Sequence, residues 1–270
     1  MFLFRTNTLT KFSYLWLFLL SMAYSNSQAQ DLAQFEHKQF IFGADTLRYR
    51  ILYPQNFDAN KKYPVLFFLH GAGERGSNNE SQLAHGGKLF LRDSIRQQFP
   101  AIVIFPQCPK DSYWSNVNIV TEPGGKRHFN FLTGCDPMPP MQLLQELVKQ
   151  TRSEKYTDKN RMYVGGLSMG GMGTFELLRR EPKTFAAAFV ICGGDNVGNA
   201  KKYKKVPLWV FHGGKDDIVE PHLSSRVVSK LHEIGAKEVK HTLYPNANHN
   251  SWDATFAEPR LLPWLFSHKK

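Results

Sequence analysis

Cysteine is scarce in this 270-residue chain: Cys108, Cys135 and Cys192 are the only three. That count excludes a disulfide-dense scaffold, and their spacing matches no zinc site. No His-Glu-x-x-His helix is present to signal a metalloenzyme, so neither a metal nor a cofactor is expected. No lysine or arginine run exceeds two in sequence although the net charge is +11. The densest patch, Lys201–Lys202 and Lys204–Lys205 around Tyr203, lacks any nucleic-acid-binding signature and reads as a solvated face, so no nucleic-acid partner is expected. Internal repeats, low-complexity tracts and domain linkers are also missing. What remains is an ordinary globular composition, 42% hydrophobic and 21% charged, with 21 Phe to fill one large core.

The first residues read as a targeting segment. Arg5 and Lys11 are the only charges before Asp31, and Phe12 to Ala23 forms an apolar stretch too short to span a bilayer as a helix. Ser27-Gln28-Ala29 supplies small residues for a signal peptidase. Residues 1–29 are therefore expected to be a signal peptide and 30–270 the mature domain. The protein is expected to be exported, periplasmic or secreted, with no stable membrane insertion after cleavage. Export makes a Cys108–Cys135 bridge conceivable, since both lie in one irregular stretch.

Further on, short apolar runs alternate with helical spacing. Leu47 to Tyr53 begins as the apolar–polar alternation of a half-buried strand. Val65 to Leu69, Ala101 to Phe105, Arg161 to Val164, Ala186 to Ile191 and Leu208 to Phe211 are nearly continuous, as in strands covered on both faces. Val239 to Tyr244 reads as the last strand. Leu143, Leu144, Leu147 and Val148 form one helical stripe, entered through Pro139-Pro140. Val227, Val228, Leu231 and Ile234 form another, stopped by Gly235. This order predicts one α/β domain with a mostly parallel sheet flanked by helices. Residues 107–140 are too long for an ordinary connection and are expected to be a binding loop.

Chemistry appears at the strand ends. Gly166-Leu167-Ser168-Met169-Gly170 lies between a strand and a helix, the context of a nucleophile elbow. A serine hydroxyl needs a base to take its proton. In this chain order an acid and then a histidine should follow. Asp216, with Asp217 as its rival, lies just past the strand ending at Phe211, and His249 lies in a polar loop after the last strand. The loop His70-Gly71-Ala72-Gly73-Glu74-Arg75-Gly76 is expected to aim the Ala72 N–H beside that of Met169 as an oxyanion hole. His70 is expected to brace that loop, and Glu74 with Arg75 to form a structural clip. Tyr113, Trp114, Phe129 and Phe131 are expected to line the pocket together with Trp252, with Trp114 and Trp252 contacting substrate.

The stretches Leu69–Gly76, Pro106–Pro109, Gly166–Gly171, Ile191–Gly194, Phe211–Asp216 and His249–Asp253 together resemble exported α/β-hydrolase esterases. These are related to dienelactone hydrolases and to feruloyl and acetyl-xylan esterases, and are often labelled predicted peptidases. The resemblance covers about Phe40 to Ser267. It implies the α/β-hydrolase fold, Ser168 as nucleophile, Asp216 as acid, His249 as base, and Ala72 with Met169 as the oxyanion hole. The implied activity is hydrolysis of carboxylic esters, with an esterified polysaccharide or a small phenolic ester as substrate. Some relatives carry an extra N-terminal sandwich domain, which is not expected here, so substrate selection should come from the catalytic domain itself. Two other readings compete: a serine peptidase of the prolyl-oligopeptidase type, and a non-catalytic carbohydrate-binding relative.

Overall fold

A computed structural model describes residues 31–270, so the signal-peptide expectation lies outside the described residues. Among the described residues there are ten strands: β1 (Glu36–Phe42), β2 (Asp45–Leu52), β3 (Tyr63–Leu69), β4 (Ile102–Gln107), β5 (Val117–Thr121), β6 (Arg127–Phe131), β7 (Thr157–Leu167), β8 (Ala187–Ile191), β9 (Leu208–Gly213) and β10 (Val239–Tyr244). Eight of them form one sheet in the order β1-β2-β4-β3-β7-β8-β9-β10. From β4 to β10 every pairing is parallel, whereas β1, β2 and β4 pair antiparallel at one edge.

The continuous apolar runs follow from burial on both sides. Val65, Phe67, Ile104, Val164, Val190 and Val210 face the helices Pro139–Ser153, Met169–Arg180 and His222–Glu233. Their neighbours Leu66, Phe68, Phe105, Tyr163, Phe189 and Phe211 face the opposite layer, built from Leu83, Leu89, Phe90, Leu261, Leu262 and Leu265. Because successive side chains point to opposite faces, one run of five or six apolar residues serves two cores. The helix Pro139–Ser153 starts at its paired prolines, where missing N–H groups cost nothing. Gly235 follows the helix His222–Glu233 at φ +74°, a left-handed stop.

Three features depart from the sequence reading. Strand β1 carries no apolar alternation, since only Phe40 is buried along it. Pairing with β2 holds it, and the buried Arg50 guanidinium donates from Nε to the Phe35 carbonyl (2.8 Å) and ion-pairs with Glu80 (2.8 Å). Short helices at Gly87–Phe90, Asp93–Gln98, Trp252–Phe256 and Leu261–Ser267 had no periodic stripe to reveal them. Within the 107–140 excursion lies a β-hairpin, β5 with β6, separate from the main sheet. Cys108 and Cys192 are buried, Cys135 is exposed, and all three are free thiols, so no Cys108–Cys135 bridge forms. No helix among the described residues is long and apolar enough to cross a membrane.

Candidate active site

Parallel strands end on one edge of the sheet, and the candidate residues gather there. β3 delivers His70 to Arg75, β7 delivers Ser168, β9 leads to Asp216, and β10 leads to His249. Ser168 stands at the turn from β7 into the helix Met169–Arg180 with φ 52° and ψ −119°. That is a left-handed φ which a non-glycine residue adopts only under constraint. Its N–H donates to the Ile191 carbonyl (2.9 Å) and its carbonyl accepts from the Met172 N–H (3.0 Å), fixing the turn from both sides. A Cβ on Gly170 would stand 1.9 Å from the Leu69 carbonyl oxygen, so only glycine lets the helix start approach β3.

The three expected side chains form a hydrogen-bonded line. Ser168 Oγ lies 2.9 Å from His249 Nε2, and His249 Nδ1 lies 2.8 Å from Asp216 Oδ2. With Asp216 ionised, its Oδ2 must accept, so Nδ1 carries the proton and Nε2 is left to accept from the serine hydroxyl. The second carboxylate oxygen, Oδ1, accepts from the N–H groups of Ile218 (3.0 Å) and Val219 (2.9 Å). Burial alone would raise the Asp216 pKa. Donors from His212, His249 and Val219 outweigh it and hold the carboxyl far below its ordinary value. Asp217 points elsewhere and is exposed; its N–H donates to Asn248 Oδ1 (3.2 Å). The same Asn248 oxygen accepts from the His249 N–H (2.7 Å), tying the acid loop to the histidine loop. Gly213 permits that approach, because a Cβ there would meet the Asn248 carbonyl oxygen at 2.2 Å.

Two histidines support this line without joining it. His212 is fully buried, its Nε2 lying 2.8 Å from the Val219 carbonyl and 3.2 Å from Asp216 Oδ2, its Nδ1 2.8 Å from Ser224 Oγ. The sequence reading did not single it out. Its place four residues before Asp216 on the same strand end was the available signal. His70 accepts the Cys108 N–H at Nε2 (2.9 Å) and donates from Nδ1 to the Gly71 carbonyl (2.6 Å). Burial pushes its pKa down to about 4, so it stays neutral in that role and braces the loop as expected.

That loop lies against the serine: a Cβ on Gly71 would stand 3.7 Å from Ser168 Cβ. Ala72 opens a short 3-10 turn and Met169 opens the elbow helix. First-turn N–H groups have no intrahelical acceptor and are available to a ligand. Ala72 lines the cavity, whereas the Met169 side chain is buried beneath it. Glu74 and Arg75 do not clip to each other. Arg75 donates to the carbonyls of Ala72 (3.0 Å) and Ser112 (3.1 Å), and Glu74 faces His85 at 3.7 Å.

A cavity of about 810 Å³ opens over Ser168 and His249. Its walls include Tyr113, Phe129 and Trp252, as the sequence reading expected, and Trp252 sets its ring edge-on to His249 (5.5 Å, 86°). The assignment of Trp114 to substrate contact is corrected. Trp114 is fully buried, with its Cβ 2.4 Å from the place a Cβ on Gly173 would take and its ring 5.5 Å from His70. It packs beneath the loop and the elbow helix. Phe131 lies farther along the same strand face, stacked on Phe129 and close to Gly194, outside the cavity lining. In their place the hairpin offers Ile119, Thr121 and Arg127, which no periodicity in the sequence marked as facing a pocket.

Cys192 Sγ, Asp216 and His249 bring potential metal ligands within 4.8 Å of one another. The chemistry of this set disfavours a metal. Burial holds the Cys192 thiol protonated, and the Asp216 and His249 atoms are spent on each other. What the arrangement can do is take a proton from a serine hydroxyl beside two backbone donors.

Comparison with known proteins identifies the family and the type of bond. The Esterase family model matches residues 45–238. The chain belongs to the Esterase family. A solved structure described as a thermostable esterase superposes with a TM-score of 0.78 at 32% identity, covering 88% of this chain and 64% of that one. The bifunctional acetylxylan esterase/xylanase XynS20E of Neocallimastix patriciarum is 35% identical over 79 residues, 29% of this chain and 12% of that protein. A protein described as probable feruloyl esterase C of Aspergillus oryzae is 24% identical over 171 residues, 63% of this chain and 55% of that one. The chain thus spans between about an eighth and two thirds of the length of these esterase relatives.

Proposed function

We propose that this protein is an exported serine esterase that removes acyl or feruloyl groups from an esterified polysaccharide or small phenolic ester. The observation that carries the reading is the 2.9 Å contact of Ser168 Oγ, held at a strained elbow, with an imidazole already oriented by a buried carboxylate. Membership of the Esterase family supports the bond type, and the similar proteins described as acetylxylan and feruloyl esterases support the substrate class. The composition of residues 1–29 supports export to the periplasm or the medium.

In this reading His249 Nε2 takes the Ser168 proton as Oγ attacks the ester carbonyl. The charge that develops on the carbonyl oxygen falls between the N–H groups of Ala72 and Met169. Asp216 keeps the imidazole in its Nδ1-protonated form and stabilises the imidazolium. Collapse expels the alcohol, which takes the proton from His249, and water then removes the acyl group by the same steps. A panel of methyl ferulate, acetylated xylan, p-nitrophenyl esters of graded chain length and peptide anilides tests the reading. Ester turnover with inert anilides is expected; anilide cleavage faster than ester cleavage would transfer the protein to the peptidases.

A further inference from the structure

Three consecutive basic residues stand at the start of strand β6 of the hairpin: Lys126 just before it, then Arg127 and His128 within it. Side chains of a strand alternate between faces, and the carboxylates nearby alternate with them. Lys126 pairs with Glu220 at 2.9 Å and His128 with Glu122 at 2.6 Å. Arg127, between them, lines the cavity over Ser168 with its strand neighbour Phe129 and with Ile119 and Thr121 of β5. Among the described residues no carboxylate lies within ion-pairing distance of Arg127. The pattern engages the two flanking side chains and leaves the cavity-facing guanidinium available.

A second guanidinium shares that wall. Arg75 spends two of its five N–H donors on the carbonyls of Ala72 and Ser112 and lies 5.7 Å from the Tyr113 ring centre. Burial raises the Tyr113 phenol, while the positive charges of Arg75 and Arg127 draw it back, so both fields reach this residue. The acid on the cavity wall, Glu74, is turned toward His85. A wall with two permanent cations, an aromatic ring beside them and no acid paired to either is suited to a planar anion.

We propose that the Arg127–Tyr113–Arg75 wall binds a carboxylate carried by the substrate, so that the protein selects acidic esters over neutral ones of the same shape. The proposal rests on the esterase reading and adds the charge of the substrate to it. Arg127 is the specificity-determining residue; Arg75 also holds the oxyanion loop and is not the one to vary.

The test measures kcat/KM for two matched ester pairs. One pair carries the carboxylate on the acyl side (mono-4-nitrophenyl glutarate against its methyl ester). The other carries it on the alcohol side (3-acetoxybenzoate against methyl 3-acetoxybenzoate). A partly exposed guanidinium–carboxylate contact is expected to favour the acid of one pair by about five- to tenfold. Arg127→Gln should bring that ratio close to one, Arg127→Lys should retain part of it, and 1 M salt should reduce it in the wild type. Binding of the same four esters to Ser168→Ala protein, followed by calorimetry, reads the preference without turnover. If the wild type hydrolyses none of the four, the esterase reading fails while the binding arm still decides this one. A wild type without preference for the acid in either pair, or a ratio unchanged in Arg127→Gln, overturns the proposal.

Discussion

Replacing His70 with glutamine removes a buried group that can gain a proton only at the expense of the fold. In the folded protein its pKa stands at about 4, against an ordinary 6.5, because the ring is buried and its Nε2 must accept from the Cys108 N–H. Between those two values the unfolded chain binds a proton at this position and the folded chain does not, so stability falls as pH falls through the window. At about 1.4 kcal/mol per tenfold change in proton affinity, this one residue removes about 3 kcal/mol between pH 7 and pH 4. Asp195 runs the other way: burial holds its carboxyl up to about 6, so the folded chain takes up a proton there that the unfolded chain releases. His241, also lowered by burial, acts in the same direction as His70, so the raw curve sums several groups and the difference between wild type and His70→Gln isolates the effect. Urea unfolding followed by circular dichroism at pH 7, 6, 5 and 4 measures it. The variant, less stable at pH 7 through weakened hydrogen bonds to Gly71 and Cys108, should lose its disadvantage steadily toward pH 4. A difference that stays constant across the series would mean that His70 is not held neutral, and the bracing argument would fall.

Other perturbations separate neighbouring residues. Asp216→Asn should lower kcat by about 10⁴-fold, as loss of the orienting carboxylate does in a serine triad, while Asp217→Asn should leave kcat within a few-fold; equal losses would assign the acid wrongly. Trp114→Ala should cost about 3–5 kcal/mol of unfolding free energy through the cavity it leaves, read as an earlier thermal transition. Turnover of large and small esters should fall in proportion, since Trp114 lies outside the substrate cavity. Trp114→Phe should be far milder, because the indole Nε1 it removes is buried without a hydrogen-bond partner among the described residues. A selective loss of bulky esters in either variant would return Trp114 to the pocket.

Much of this fold was readable because the parallel strands are buried on both faces. Phe67 and Phe68, for example, point into different cores, and such runs have no polar interruptions to blur them. The Gly166–Gly170 motif set Ser168, and chain order with loop position set Asp216 and His249, at strand ends, because parallel strands deliver successive loops to one edge. Strand β1 escaped notice since its stability comes from pairing and from Arg50, neither of which leaves an apolar period. The pocket wall was misread for a related reason. Tyr113 and Trp114 are adjacent aromatics in one irregular stretch, and nothing local says which faces solvent and which lies under Gly173. Tertiary packing decides that, as it decides that the Arg127 end of β6 rather than the Phe131 end lies over the cavity. His212 carried no signal of its own beyond position, because its contribution depends on Val219 and Ser224 folding back over it.

The central claim is that Ser168 is the nucleophile, and covalent labelling with a fluorophosphonate tests it most directly. The wild-type protein should take one label per chain, lose ester hydrolysis in step with labelling, and show the added mass on the peptide that contains Ser168. Ser168→Ala should unfold at the same temperature, take no label and lose turnover by about a million-fold, as removal of a triad serine does elsewhere. Labelling at another residue, or ester hydrolysis that persists in the alanine variant, would contradict the account.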